Sequence, residues 1–253
     1  MDEPATLAWV IVAAFATALA TGLGALPLLW LRDATPRTLG IANAFAGGLM
    51  LAATQLLLVE GVSIDVSGTM LGALAGLVAI ALIARFVHAH DDHGHEDASM
   101  QALRSASARS AVLIIAVMTA HSAAEGIGVG VSFGGGDELG LLVALAIAIH
   151  NIPEGLAISL ALVPTGASIR SAAGWSIFSS LPQPILAIPA FLFVEAFHDV
   201  LPVGLGVAGG AMLWMVLREL LPESLGRASA WQVSAGMVAG YLVMLMLTVV
   251  LGA

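Results

Sequence analysis

Long apolar runs separated by short polar breaks cover nearly the whole chain. A membrane-crossing helix needs about 20 predominantly apolar residues. Runs of that kind fall at 8–31, 39–59, 69–87, 110–133, 139–163, 171–194, 201–220 and 231–252. The pattern predicts an all-α polytopic membrane protein with eight transmembrane helices in a single domain over 1–253. The breaks between runs are short except for 88–109.

Composition strengthens this reading. Of 253 residues, 59% are hydrophobic and only 10% are charged. Mean hydropathy is +1.00. A soluble domain of this size needs more charge to wet its surface. The net charge of −9 belongs to the loops and says little about partners, beyond giving no reason to expect nucleic acid. There is no cysteine, which excludes disulfides and thiolate metal sites. The start, Met-Asp-Glu-Pro, lacks the basic stretch of a signal peptide, so the first apolar run is expected to be a retained helix.

Charge also fixes an orientation. The basic residues are Arg32, Arg37, Arg85, Arg104, Arg109, Arg170, Arg218 and Arg227. All fall on the side of the breaks between spans 1–2, 3–4, 5–6 and 7–8. The other side carries Asp2, Glu3, Glu60, Asp65, Asp137, Glu138, Glu195 and Asp199. The positive-inside rule then places both termini outside the cytoplasmic (plasma) membrane. One missed span would scramble this partition.

Spans 2 and 7 share a motif. Ala46-Gly-Gly-Leu-Met50-Leu51 in one matches Ala208-Gly-Gly-Ala-Met212-Leu213 in the other. These helices run in opposite directions, the mark of an inverted repeat. Two small-residue packing faces would also look alike.

Two further motifs carry chemistry: His121-Ser-Ala-Ala-Glu125-Gly and His150-Asn-Ile-Pro-Glu154-Gly. Residues i and i+4 share a helix face. Each motif therefore presents an imidazole and a carboxylate together, near the middle of spans 4 and 5. An ionisable group in lipid costs roughly 2.5–3.5 kcal/mol even on the lenient insertion scale. Two such pairs with equal spacing and depth point to convergence on a positively charged ligand, a divalent metal ion. Helix-to-helix hydrogen bonding is the plainer alternative. Two neutral imidazoles and two carboxylates balance one M²⁺ and suit zinc, iron, manganese or cadmium. Protonation would weaken the site and assist release. Pro153 removes a helix hydrogen bond inside the second motif. Leu181-Pro182-Gln183-Pro184 breaks span 6 at membrane depth, where Gln183 could ligate or could bond a ligand carboxylate.

With these motifs the chain resembles the ZIP (Zrt-, Irt-like) divalent metal transporters, prokaryotic type. The resemblance covers nearly the whole chain, including the His-rich break, the Leu-Pro-Gln-Pro segment and the Glu219-Leu-Leu-Pro-Glu223 ending of span 7. It implies uptake of a divalent metal, zinc foremost, into the cytoplasm, with the metal as substrate and no organic cofactor. It also implies an inverted repeat of helices 1–3 and 6–8 around helices 4–5, a homodimer in the bilayer, and elevator-like alternating access. By position, His121, Glu125, His150 and Glu154 match the family's primary metal site, and Met50 matches an additional ligand. Gln55, one turn further out, could act instead. Members with a second adjacent metal build it partly from Asn, Asp and Glu. Here the matching Ser122, Asn151 and Gln183 are uncharged, so a single ion is expected.

Two polar segments remain. Residues 88–97 carry His88, His90, His93 and His95 among four acids, a candidate for weak, fast metal binding or an incidental solvated loop. Glu195, His198 and Asp199 could collect cations at the outer entrance. Competing readings are an intramembrane zinc metalloprotease, which would usually carry His-Glu-x-x-His, and a membrane metal sensor without transport.

Overall fold

The computed structural model describes residues 7–29, 35–89 and 108–251, and all regular structure among them is helical. The helices are α1 (Leu7–Leu23), α2 (Pro36–Ile64), α3 (Val66–Ala89), α4 (Ala108–Gly134), α5 (Asp137–Leu162), α6 (Ile169–Ser179), α7 (Pro182–Ala196), α8 (Leu201–Met215), α9 (Leu221–Arg227) and α10 (Ala230–Leu251). Six helical stretches among the described residues are long and apolar enough to cross a membrane. They are Leu7–Leu29, Pro36–Ile64, Asp137–Leu162, Ile169–Ala196, His198–Arg227 and Ala230–Val250. The other two expected spans coincide with α3, whose Val66–Leu82 is a shorter apolar helix, and with α4. This is an integral membrane protein.

Local chemistry sets the helix ends. Thr35 is extended at the N-cap of α2 and accepts from the Thr38 amide, and Pro36 takes the first turn, where no amide partner is needed. Span 2 is longer than the sequence suggests and runs through Glu60 to Ile64. The expected loop between spans 2 and 3 shrinks to Asp65. That carboxylate accepts from the Ser67 hydroxyl at 2.8 Å and the Gly68 amide at 2.7 Å, starting α3 at once. The Ser67 hydroxyl and the Gly68 amide hold the Asp65 carboxyl below its usual range.

Span 6 is broken, and span 7 carries a π-helical turn. α6 ends at Ser179, and Pro182 opens α7 two residues past the Ser180 cap, so the break falls where the prolines predict it. Span 7 passes from α8 through a π-helical turn at Val216–Leu220 into α9. The expected span 201–220 therefore extends to Arg227.

The helices sort into two groups by packing. In one, α1 lies along α5, α4 lies along α7 and α5, and α6 fills in beside α1 and α5. In the other, α3 packs on α8, and α2 packs on α10 and α8. The groups meet where α2 touches α5 and where α4 touches α8. The main apolar core runs across this junction and includes Leu49, Leu57, Val143, Ile147, Leu205 and Met212.

Candidate metal centre

α4 and α5 bring the two His/Glu motifs face to face inside the bundle. Two glycines permit this. A β-carbon at Gly126 would collide with the backbone of Gln183, and one at Gly155 with the Thr21 carbonyl. Each motif's final glycine thus lets its helix press against α7 or α1 immediately beyond the glutamate.

All four side chains are buried, none more than 6% exposed. The Nε2 atoms of His121 and His150 are 3.3 Å apart. Glu125 Oε1 lies 3.5 Å from each of them. Glu154 Oε2 lies 4.0 Å from His150 Nε2. One ligand atom from each residue falls within 4.8 Å of all the others. A tetrahedral ion with metal–ligand bonds of about 2.1 Å has donor–donor edges of about 3.4 Å. Three of the four distances fit that figure, and the fourth is half an ångström wide. Neither oxygen of Glu154 has a hydrogen-bond partner, and Glu125 Oε1 has none. Carboxylate oxygens buried this way are costly unless a cation meets them.

Gln183 acts on Glu125 from behind. Its amide nitrogen donates to Glu125 Oε2 at 2.6 Å, and its oxygen accepts from Asn151 Nδ2 at 3.1 Å. Asn151 Nδ2 also donates to the Thr17 carbonyl of α1 at 2.8 Å. The relay from the α1 backbone through Asn151 and Gln183 leaves Oε1 facing the imidazoles. Ser122 is fully buried beside His121 with no partner for its hydroxyl.

Met50 is fully buried on α2, in the same cluster as Ile147, one turn before His150. Gln55 is exposed and accepts from the Tyr241 hydroxyl of α10. Glu195, His198 and Asp199 are exposed around the short 3-10 turn His198–Val200. His88 falls in the last turn of α3, and His90, His93 and His95 lie outside the described residues.

One residue at the site was not singled out from the sequence for its chemistry. Glu219 Oε2 sits 3.3 Å from His121 Nδ1. It is carried by the π-helical turn, a feature often found at functional sites. One turn on, Glu223 pairs with the largely buried Arg227 at 2.7 Å. A carboxylate at the end of an apolar span was the available signal; the turn that aims it was not.

The family model described as ZIP Zinc transporter matches residues 84–248. The chain belongs to the ZIP family. Three curated proteins place it further. The Arabidopsis thaliana protein named "Putative zinc transporter At3g08650" is 45% identical over 223 residues, which are 87% of this chain and 35% of that longer protein. Zinc transporter GufA of Myxococcus xanthus is 34% identical over 96% of this chain and 98% of its own length. Zinc transporter ZIPB of Bordetella bronchiseptica is 32% identical over 92% of this chain and 78% of its own. ZIP proteins are transporters, which leaves the protease and sensor readings without support.

Proposed function

We propose that this chain is a secondary transporter that carries a divalent transition metal ion, zinc foremost, into the cytoplasm through one mononuclear site. The observation that carries the reading is the convergence of His121, Glu125, His150 and Glu154, whose ligand atoms lie within 4.8 Å of one another, with the first three at the donor spacing of a tetrahedral zinc. Their formal charge of two carboxylates balances one divalent ion. The uncharged Ser122, Asn151 and Gln183 offer nothing to neutralise a second cation, and Gln183 already occupies the free side of Glu125. Met50 stands as an additional soft donor. Glu219 Oε2 stands 3.3 Å from His121 Nδ1, close enough to accept its proton and turn Nε2 toward the ion. The names of the related proteins agree on zinc.

Eight spans with both termini outside complete the proposal. The arginine distribution supports the orientation. The inverted repeat gains support from packing. The pairing α2–α10 mirrors α8–α3, and α1–α5 mirrors α7–α4. Small residues repeat the relation. A β-carbon at Gly48 would strike the Met237 carbonyl, and one at the matching Gly210 would strike the Ala73 carbonyl. Crevices follow the junction of the two groups, between α5 and α2/α10 and between α4 and α3/α8. A junction of that kind suits one group sliding past the other, which would expose the site to each side in turn.

The test is uptake into proteoliposomes of zinc, iron(II), manganese and cadmium in competition, at two external pH values. Saturable zinc uptake is expected, with loss in His121→Ala. Wild-type transport by His121→Ala would sink the site. Two tightly bound ions per protomer in the purified protein would sink the mononuclear assignment.

A further inference from the structure

We infer that the groove between α5, α2 and α10 is a binding site for an anionic phospholipid of the inner leaflet. The inference rests on the proposed topology, which puts the starts of α2 and α10 at the cytoplasmic face. The groove has a volume of about 710 Å³, within the usual range for ligand sites. On one side Ile41 and Phe45 of α2 form its wall, and on the other Ile152 and Pro153 of α5. The third side is hollow because α10 presents only Ala235, Gly236 and Ala239 there.

Its two ends differ. From Thr38 to Phe45 the groove runs seven residues of helix, about 10 Å, against roughly 15 Å for one leaflet's hydrocarbon. The deep end is apolar. The mouth carries Thr38, Gln232 and Trp231, and Trp231 is 80% exposed. An indole at that level is an interfacial anchor. Arg37 is exposed, immediately precedes Thr38 and stands one turn from Ile41 on the same face. The described lining residues include no acid. An apolar slot with a guanidinium, an indole and an amide at its wet end has the chemistry of an acyl chain and its phosphate headgroup.

The crevices elsewhere along the junction lack this polarity. The one beside α7 and α8, about 370 Å³, and the one between α3, α4 and α8, about 120 Å³, are lined by apolar residues and glycine alone. The α5 wall of the inner groove matters most. Ile152 and Pro153 sit between His150 and Glu154 in sequence, so the lipid chain rests against the back of the metal-binding turn while α2 and α10 hold its other side. The lipid bridges the two groups of helices.

Native mass spectrometry of metal-free protein tests this, after exposure to equal amounts of phosphatidylglycerol and phosphatidylcholine. Wild type is expected to retain phosphatidylglycerol over phosphatidylcholine by roughly fivefold, the worth of one basic residue at an anionic surface. Arg37→Gln should bring the ratio near one. Ala239→Phe, which fills the hollow, should retain little of either lipid, with Ala235→Phe as a second filling variant. Val238→Phe, exposed on the same helix outside the groove, should match wild type. Equal retention of both lipids by wild type, or undiminished retention by the filled variants, overturns the inference. The readout needs no metal, so failed metal uptake would overturn the transport reading and leave this result standing.

Discussion

In the proposed site, Gln183 decides which oxygen of Glu125 faces the ion. Its amide holds Oε2 at 2.6 Å in a fully buried setting. A hydrogen bond to a charged group contributes about 1.5–3 kcal/mol, and loss of a residue that orients a ligand lowers metal affinity roughly 10–100-fold. Gln183→Ala should weaken zinc binding by a factor in that range in isothermal titration, with the fold intact by circular dichroism. Gln183→Glu makes the opposite change. It sets a second carboxylate against Glu125, where like charges cannot both remain ionised without a counter-ion. Bound zinc should rise from one towards two ions per protomer in elemental analysis at neutral pH. A ratio still at one would mean that the new carboxylate takes a proton instead. Glu219→Gln should keep transport but weaken zinc binding about tenfold, because His121 loses the carboxylate that orients its ring.

At the scale of helices, close backbone approach is the feature most open to test. Gly155→Ala drives a methyl into the Thr21 carbonyl, so α5 must move off α1. That variant should melt several degrees lower and lose most uptake. Gly174 lies in α6 with nothing within 4 Å of a built β-carbon. Gly174→Ala should melt at or slightly above wild type, since alanine favours a helix by up to about 1 kcal/mol over glycine. Equal melting of both variants would remove the packing argument. The helices themselves were legible in the sequence because lipid demands long apolar runs, and the metal motifs because a repeated His/Glu spacing in such runs is hard to explain otherwise. Asp65 was read as part of a loop because hydropathy averages over many residues and cannot see one cap reverse a chain. Glu219 escaped notice for a related reason. Its approach to His121 involves a π-helical turn, and in a span apolar nearly all round the phase shift of one extra residue cannot be read from hydrophobic periodicity.

For the whole molecule, the prediction concerns motion between the two groups of helices. Gly128 of α4 and Ala208 of α8 face each other across the junction, where a β-carbon at Gly128 would lie 3.7 Å from the Ala208 methyl. That separation suits a disulfide, and the chain has no cysteine of its own to interfere. Oxidised Gly128→Cys/Ala208→Cys should stop zinc uptake, and reduction should restore it. Full transport by the oxidised junction mutant would mean that the groups do not slide.

The bond from Gln183 to Glu125 also bears on which ions pass. A carboxylate with one oxygen held by an amide is biased toward giving a metal one donor rather than two. With two imidazoles and one oxygen each from Glu125 and Glu154, the proposed centre offers four inner donors, and a fifth where Glu154 turns both of its unpartnered oxygens to the ion. Zinc accepts four-coordinate tetrahedral geometry without penalty. Manganese favours six oxygen-rich positions and would have to keep part of its water shell. In the proposed site, zinc is then expected to be preferred over manganese through coordination number, set in part by the amide that holds Glu125.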